Sequence, residues 1–244
     1  TFSDWTKSAT GANSGGSKTD VPGSVSDNGF YSTQLVIDLL AQYKAKLSDD
    51  LSLTVVGGFQ ARDNRDKNVF IAANGLVISG VYNVGNASTN LAGSENNTRA
   101  TQMGLYGDVR LGFKEWAYLH ITGRNDWRSV LAKENRSFFY PAADVSIILS
   151  DAISALKESE WVDALKIRGG YSQVGQVSIG AYALQSTFNQ NYGYPYSSGG
   201  GFGISNTLVS PDLQPEITTS LEGGFDLDLK KYSASIGMTL YKSN

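Results

Sequence analysis

The chain contains no cysteine and a single histidine. Without thiols there is no disulfide framework, no thiolate metal site and no cysteine nucleophile, and one His leaves His-based triads without their usual partners. Long hydrophobic runs are missing as well. Nothing approaches the ~18 consecutive apolar residues of a membrane helix. Basic excess is also missing: 20 Lys and Arg against 23 Asp and Glu leave a net charge of -3, which argues against a nucleic-acid partner. The opening TFSDWTKSATG carries neither an initiating Met nor a charged-then-apolar leader, so a processed or fragmentary start is expected. What is abundant is glycine, at 27 residues, and tyrosine, at 13, within an aromatic content of 11%.

A period of two recurs in segment after segment, the mark of strands with one apolar and one polar face. Leu35, Ile37, Leu39, Ala41, Tyr43, Ala45 and Leu47 alternate with Gln34, Val36, Asp38, Leu40, Gln42, Lys44 and Lys46. After a short turn at Ser48, Asp49 and Asp50, the row Leu51, Leu53, Val55, Gly57, Phe59 and Ala61 opposes Ser52, Thr54, Val56, Gly58, Gln60 and Arg62. Residues 98–113 set Met103, Leu105, Val109, Leu111 and Phe113 against Gln102, Gly104, Tyr106, Asp108 and Arg110. Past a tight turn at Lys114 and Glu115, residues 116–126 oppose Ala117, Leu119 and Ile121 to Tyr118, His120, Thr122 and Arg124. A further strand sets Phe139, Ala143, Val145, Ile147 and Leu149 against Tyr140, Asp144 and Ser146 and ends near Ser150, and another sets Leu165, Ile167 and Tyr171 against Lys166, Arg168 and Ser172. A last hairpin runs from Ile217, Leu221, Phe225, Leu227 and Leu229 through Lys230 and Lys231 to Tyr232, Ala234, Ile236, Met238 and Leu240. The predicted fold is all-β: about eight strands of a transmembrane antiparallel β-barrel.

Connections alternate between short and long, as in outer-membrane barrels with brief periplasmic turns and longer outer loops. Short links sit near Asp49, Lys114 and Lys230; long polar stretches cover 62–97, 125–137 and 174–216. The segment DAISALKESEWVD, 151–163, breaks the alternation and predicts a short helix where a periplasmic turn is due. Counting turns puts the Gly/Ser-rich opening and the end of the last strand on the same outer side, so an arc of a larger barrel is expected rather than a closed small one. On that reading the arc cannot close alone and needs the remainder of the barrel and outer-membrane lipid around it.

Four strings resemble the SusC/RagA family of TonB-dependent transporters, importers of Bacteroidetes outer membranes. They are GRNDWRSVL (123–131), NRSFFYPAADVSIILSDA (135–152), ALKIRGGYSQVGQ (164–176) and LQPEITTSLEGGFDLDL (213–229), in the family's order and spacing. The resemblance covers about half the chain, from about Gly104 to Asn244; the first hundred residues add alternation only. It implies that residues 1–244 are part of a barrel of roughly 22 strands, with the plug domain and barrel ends outside this segment. It further implies a SusD/RagB-like surface lipoprotein as lid, coupling to the TonB complex through other parts of the protein, and a glycan or peptide substrate. Arg124, Asp126 and Trp127 resemble a family motif at a strand's outer end; the plainer alternative is that Arg124 and Asp126 pair in the lumen wall.

Catalytic, metal and cofactor residues are not expected. His120 is read as a lumen-facing polar residue with no second ligand at metal spacing. Asp212 with Glu216, and Glu222 with Asp226, are carboxylate pairs in sequence only, although strand spacing puts Glu222 and Asp226 on one face. The cluster Gly199, Gly200, Gly201 and Gly203 lacks the Lys-Ser/Thr and helix of a phosphate loop and reads as an outer loop. Phe188, Tyr192, Tyr194, Tyr196 and Phe202 stand among Asn, Ser and Gly in that loop. Such rings either contact substrate or lid, or pack the loop onto its neighbours. Import of oligosaccharides or peptides is the leading function; an adhesin or secretion-related barrel, and a soluble β-sandwich enzyme, are the alternatives. Whether the apolar rows meet lipid or a second sheet separates the membrane readings from the sandwich.

Overall fold

A computed structural model describes residues 1–10, 23–185, 188–192, 200–204, 210 and 212–244. Eleven strands are present among them: β1 (Phe2–Thr10), β2 (Ser24–Lys46), β3 (Leu51–Asn74), β4 (Ala92–Phe113), β5 (Ala117–Arg128), β6 (Ser137–Ile148), β7 (Val162–Gln176), β8 (Phe188–Tyr192), β9 (Gly200–Ile204), β10 (Glu216–Leu229) and β11 (Ala234–Ser243). Nine form one sheet in the order β1-β2-β3-β4-β5-β6-β7-β10-β11, and β8 pairs with β9 in a separate hairpin. Apart from that hairpin the order follows the chain, a meander in which each strand pairs with the next. The sequence predicted eight of the nine sheet strands. The predicted helix is present as two single turns, α1 (Leu149–Ala152) and α2 (Ser154–Lys157), with Leu149 and Ser150 in the first turn rather than at the end of the preceding strand, which stops at Ile148.

The chain divides into two compact units. One comprises residues 36–61 and 102–244. Antiparallel register puts directly opposed residues on the same face. On one face Leu111, Leu119 and Val145 form a row, as do Val109, Ile121, Ala143, Tyr171 and Leu221. Phe225 opposes Ile167 and Met238, while Leu227 opposes Leu165 and Ile236. Much of this face is open to the surroundings: Ile121 is 48% exposed, Val145 44% and Leu221 60%. Among the described residues no second sheet covers them, which removes the β-sandwich reading, because a sandwich buries its apolar faces against each other. A lipid-facing wall accounts for the exposure.

The short turns share one end of this meander. Lys114 N donates to Asp50 O at 2.7 Å, Ile148 N to Trp116 O at 2.7 Å and Lys230 N to Trp161 O at 2.9 Å. Aromatic rings gather there, Phe113 on Trp116 at 5.5 Å and Trp161 on Tyr232 at 6.1 Å, with Lys231 4.1 Å above the Trp161 ring. Amphipathic rings with flanking Lys suit the boundary between hydrocarbon and water, where barrels carry an aromatic girdle. Lys114 and Glu115 both take left-handed φ, 47° and 61°, the geometry that lets a tight hairpin follow strand twist.

The other unit comprises residues 1–35 and 62–101. Here the structure corrects the sequence reading, which placed a Gly/Ser-rich stretch before residue 34 and a long loop over 62–97. Instead β1 pairs with the first part of β2, from Phe2 opposite Ser32 to Thr10 opposite Ser24. β3 runs on to Asn74, and β4 begins at Ala92. At 23 and 24 residues, β2 and β3 are more than twice the length of the ~9–11 residues that cross a bilayer. Val25, Ala72 and Ala73 form a small buried core in this unit. Its polar surface is tied by cross-strand pairs: Asp63 with Arg99 at 2.8 Å, Lys67 with Glu95 at 2.9 Å and Ser32 with Asp66 at 2.6 Å. The connection 75–91 is ordered by Asn86, whose Nδ2 donates to Ile78 O and Val81 O at 2.8 and 2.9 Å.

Candidate functional site

The polar face of the unit 36–61 and 102–244 carries three consecutive rows of side chains. Tyr106, Arg124 and Tyr140 oppose one another across β4, β5 and β6. The next row is Asp108, Thr122, Ala142, Ser172 and Ser220, reaching β10. The third is Arg110, His120, Asp144, Gly170 and Glu222. Alternation dictates this: every member sits two residues from its counterpart in the adjacent row, on the face opposite Leu105, Leu119 and Ile147.

The first row is fixed by a buried carboxylate. Asp126 is 3% exposed; it accepts from Arg124 Nε at 2.7 Å and from the Tyr140 hydroxyl at 2.9 Å. Arg124 Nη2 also donates to Gln60 Oε1 at 3.3 Å, and its guanidinium lies 5.6 Å from the Tyr106 ring centre. That ring covers Gly58, where a Cβ would overlap it. A glycine is required because the aromatic plane rests on bare backbone. Arg124 and Asp126 thus pair in the wall, the plainer of the two sequence readings.

In the third row, His120 bridges two carboxylates. Its Nε2 lies 2.6 Å from Asp108 Oδ2 and its Nδ1 2.8 Å from Asp144 Oδ2. Asp108 also meets Arg110 Nε at 3.2 Å. Glu222 and Asp226 share the polar face as expected but serve separate surroundings. Asp226 pairs with Arg168, which donates as well to Thr239 Oγ1 at 2.7 Å. Glu222 lies over Gly170 beside Asp144, and among the described residues no partner holds it. No group of three or more His, Cys, Asp or Glu that could hold a metal occurs among the described residues.

Two concavities open along these rows. One of about 410 Å³ is bounded by Tyr106, Arg124 and Tyr140 on one side and by Arg110 on the other, with Asp108, Thr122 and Ala142 between. A second, of about 210 Å³, lies among His120, Asp144, Gly170 and Glu222. Ala142 and Ser172 line both. The sequence listing of polar alternates contained most of these residues without marking any as a site. A two-residue turn at Lys114 and Glu115 would have set Arg110 opposite Leu119; the hairpin instead closes through Lys114, Glu115 and Trp116, with Phe113 opposite Ala117, which sets Arg110 opposite His120, and the Asp144 partner depends on the register across the 129–136 connection, which no turn rule fixes.

The aromatic residues singled out in the sequence fall elsewhere. Phe188 and Phe202 lie on β8 and β9, 70% and 73% exposed, with Phe188 opposite Ile204 and Gln190 opposite Phe202. Tyr192 ends β8. Tyr194 and Tyr196 lie outside the described residues.

The family described as TonB dependent receptor-like, beta-barrel matches residues 1–244. No curated protein sequence matches the chain. Among solved structures, that of the RagAB peptide transporter matches with a TM-score of 0.86 at 19% identity, over 98% of this chain and 26% of the other. The RagAB peptide importer in its "closed-closed" state gives 0.85 at 19% identity over 99% and 27%, and in its "open-open" state 0.84 at 19% over 99% and 26%. The chain therefore spans about a quarter of the length of these structures, and they support the SusC/RagA-type resemblance at the level of fold. Proteins of this family are outer-membrane transporters and not enzymes. The match over its whole length makes this chain a member of the TonB-dependent receptor β-barrel family.

Proposed function

We propose that this segment is part of the wall of an energy-coupled outer-membrane importer for oligosaccharides or peptides, working with a SusD/RagB-like surface lipoprotein and driven by the TonB complex through other parts of the protein. One observation carries the reading: a single sheet exposes apolar rows on one face and holds fixed arginine, histidine, tyrosine and carboxylate side chains on the other. A wall between lipid and an aqueous path needs that division. Phe188, Tyr192, Tyr194, Tyr196 and Phe202 are proposed contacts for substrate or lid, since amphipathic rings on Gly, Ser and Asn suit adaptable binding.

The test uses the full-length protein in its own outer membrane. Deleting it should abolish protonophore-sensitive uptake of a labelled peptide mixture or of labelled oligosaccharides, and affinity purification should bring down a lipoprotein. Changing Tyr192, Tyr194 and Tyr196 together to Ala should weaken uptake or lipoprotein recovery at normal surface levels. Unchanged uptake of both substrate classes on deletion, with lost adhesion to host or neighbouring cells, would instead make the barrel an adhesin.

A further inference from the structure

We infer that the two concavities on the polar face form one trough that holds a short peptide with free termini, its carboxylate at Arg110 and its ammonium group between Asp144 and Glu222. This deepens the importer reading and rests on it. The floor is low because the row beneath is Thr122, Ala142, Ser172 and Ser220, and the shared lining by Ala142 and Ser172 makes the two hollows continuous.

The two ends differ in charge. Arg110 is 62% exposed, and its guanidinium is oriented by Asp108 through Nε at 3.2 Å and Nη2 at 3.3 Å. The remaining N–H groups are open to an incoming carboxylate, for which a fixed guanidinium is the preferred partner. At the far end Asp144 is bonded to His120 yet 52% exposed, so it retains acceptor capacity. Glu222 is exposed, and no partner holds it among the described residues. Gly170 lies directly between Asp144 and Glu222 in register. A Cβ there would stand 3.3 Å from Asp144 Cβ and 3.6 Å from Glu222 Cγ, so the glycine keeps a gap between two carboxylates. An ammonium ion, with three donors and a compact charge, fits such a gap.

Length decides how large the ligand is. Along one row Gly170, over which the ammonium sits, is three strand spacings from Arg110 and Glu222 is four, so the anchors span roughly 14–19 Å at ~4.8 Å each. An extended chain at ~3.3–3.6 Å per residue covers that with about four to six residues. Neutral oligosaccharides offer neither charge and use neither end.

The experiment measures binding to the full-length protein in detergent by calorimetry, with hexa-alanine as the probe. Its N-acetyl form, its C-terminal amide, tri-alanine and maltohexaose serve as comparisons. Hexa-alanine should bind roughly tenfold more tightly than either blocked form or tri-alanine, the worth of one charge-assisted anchor. Arg110→Gln should erase the preference over the amide, and Glu222→Gln should reduce the preference over the acetylated form. Heat-modifiable migration verifies that each variant is folded. Equal binding of free and blocked peptides, or tighter binding of maltohexaose, overturns the trough assignment. If peptide uptake by cells persists alongside that result, the importer reading survives alone; if wild-type cells import neither peptide nor oligosaccharide, both fall.

Discussion

Residues 51–61 of β3 set Leu51, Leu53, Val55 and Phe59 against Ser52, Thr54 and Gln60, whereas residues 62–74 of the same strand pass through Arg62, Asp63, Asn64, Arg65, Asp66 and Lys67. Both stretches are continuous strand. In the first, one face must be apolar because nothing in hydrocarbon can satisfy a polar side chain, and the ladder is obligatory because unpaired backbone is costly there. In the second, alternation has stopped and cross-strand ion pairs and hydroxyl contacts take over around Asp63, as suits a sheet in contact with water. Secondary structure is thus common to both stretches, and what changes is the solvent each was selected for.

The largest expected effect tests that difference directly. Leu119→Arg puts a charge on the apolar row and should cost about 2–4 kcal/mol at a midplane lipid-facing site, lowering assembled protein in outer membranes. Thr122→Arg, on the opposite face, and Phe70→Arg, in the wetted stretch, should leave assembly within about 0.5 kcal/mol of wild type. Equal loss for all three, read from heat-modifiable migration, would mean that the two stretches share one environment.

Next comes the support of the polar face. Asp126→Ala leaves Arg124 without its main partner and the Tyr140 hydroxyl without its acceptor, a loss of about 2 kcal/mol. Gly58→Val drives a branched side chain into the Tyr106 ring and should cost about 1–3 kcal/mol by overpacking. Both would appear as a lower unfolding temperature of the purified barrel; Gly57→Val, where nothing stands within 4 Å of the added Cβ, should show no such drop.

The membrane-facing stretches were legible because lipid enforces a strict period of two, so Leu35, Leu105, Leu119 and Leu221 announce their face from sequence alone. The wetted ends were not. β1, with Thr6, Lys7, Ser8 and Thr10, has no apolar row, and its pairing rests on a register with residues 24–32 that composition does not disclose. The candidate site fell between these cases. Arg124 and Asp126 are two residues apart on one strand, so their contact could be anticipated, whereas Asp108, His120 and Asp144 come from three strands and meet only once two registers are fixed. The aromatic cluster was chosen by composition, which says nothing about pairing, and only Phe188 and Phe202 have described side chains.

The smallest effect belongs to the wetted stretch and is a dependence on pH. Asp63 lies beyond Ala61, the end of the apolar row, between Arg99 Nε at 2.8 Å and Arg65 Nη2 at 2.8 Å, with Thr101 Oγ1 at 3.2 Å. The hydrogen bond from Arg99, aided by Arg65 and Thr101, holds its carboxyl down from the usual 3.8 to about 2. A folded pKa below the unfolded one means that the cluster contributes stability above pH ~4 and loses it as pH falls through about 2. Salt should weaken the contribution, because exposed charges are screened. Hydrogen exchange of amides 62–66 and 99–101 in the full-length protein, corrected for intrinsic rates, should therefore show less protection at pH 2 than at pH 5. Asp63→Asn should remove most of that change. Glu95, lowered by Asn97 and Lys67, titrates in the same region, so Glu95→Gln separates the two. A drop that persists in Asp63→Asn and vanishes in Glu95→Gln would move the pH response to the Lys67 pair and leave Asp63 without the role assigned to it.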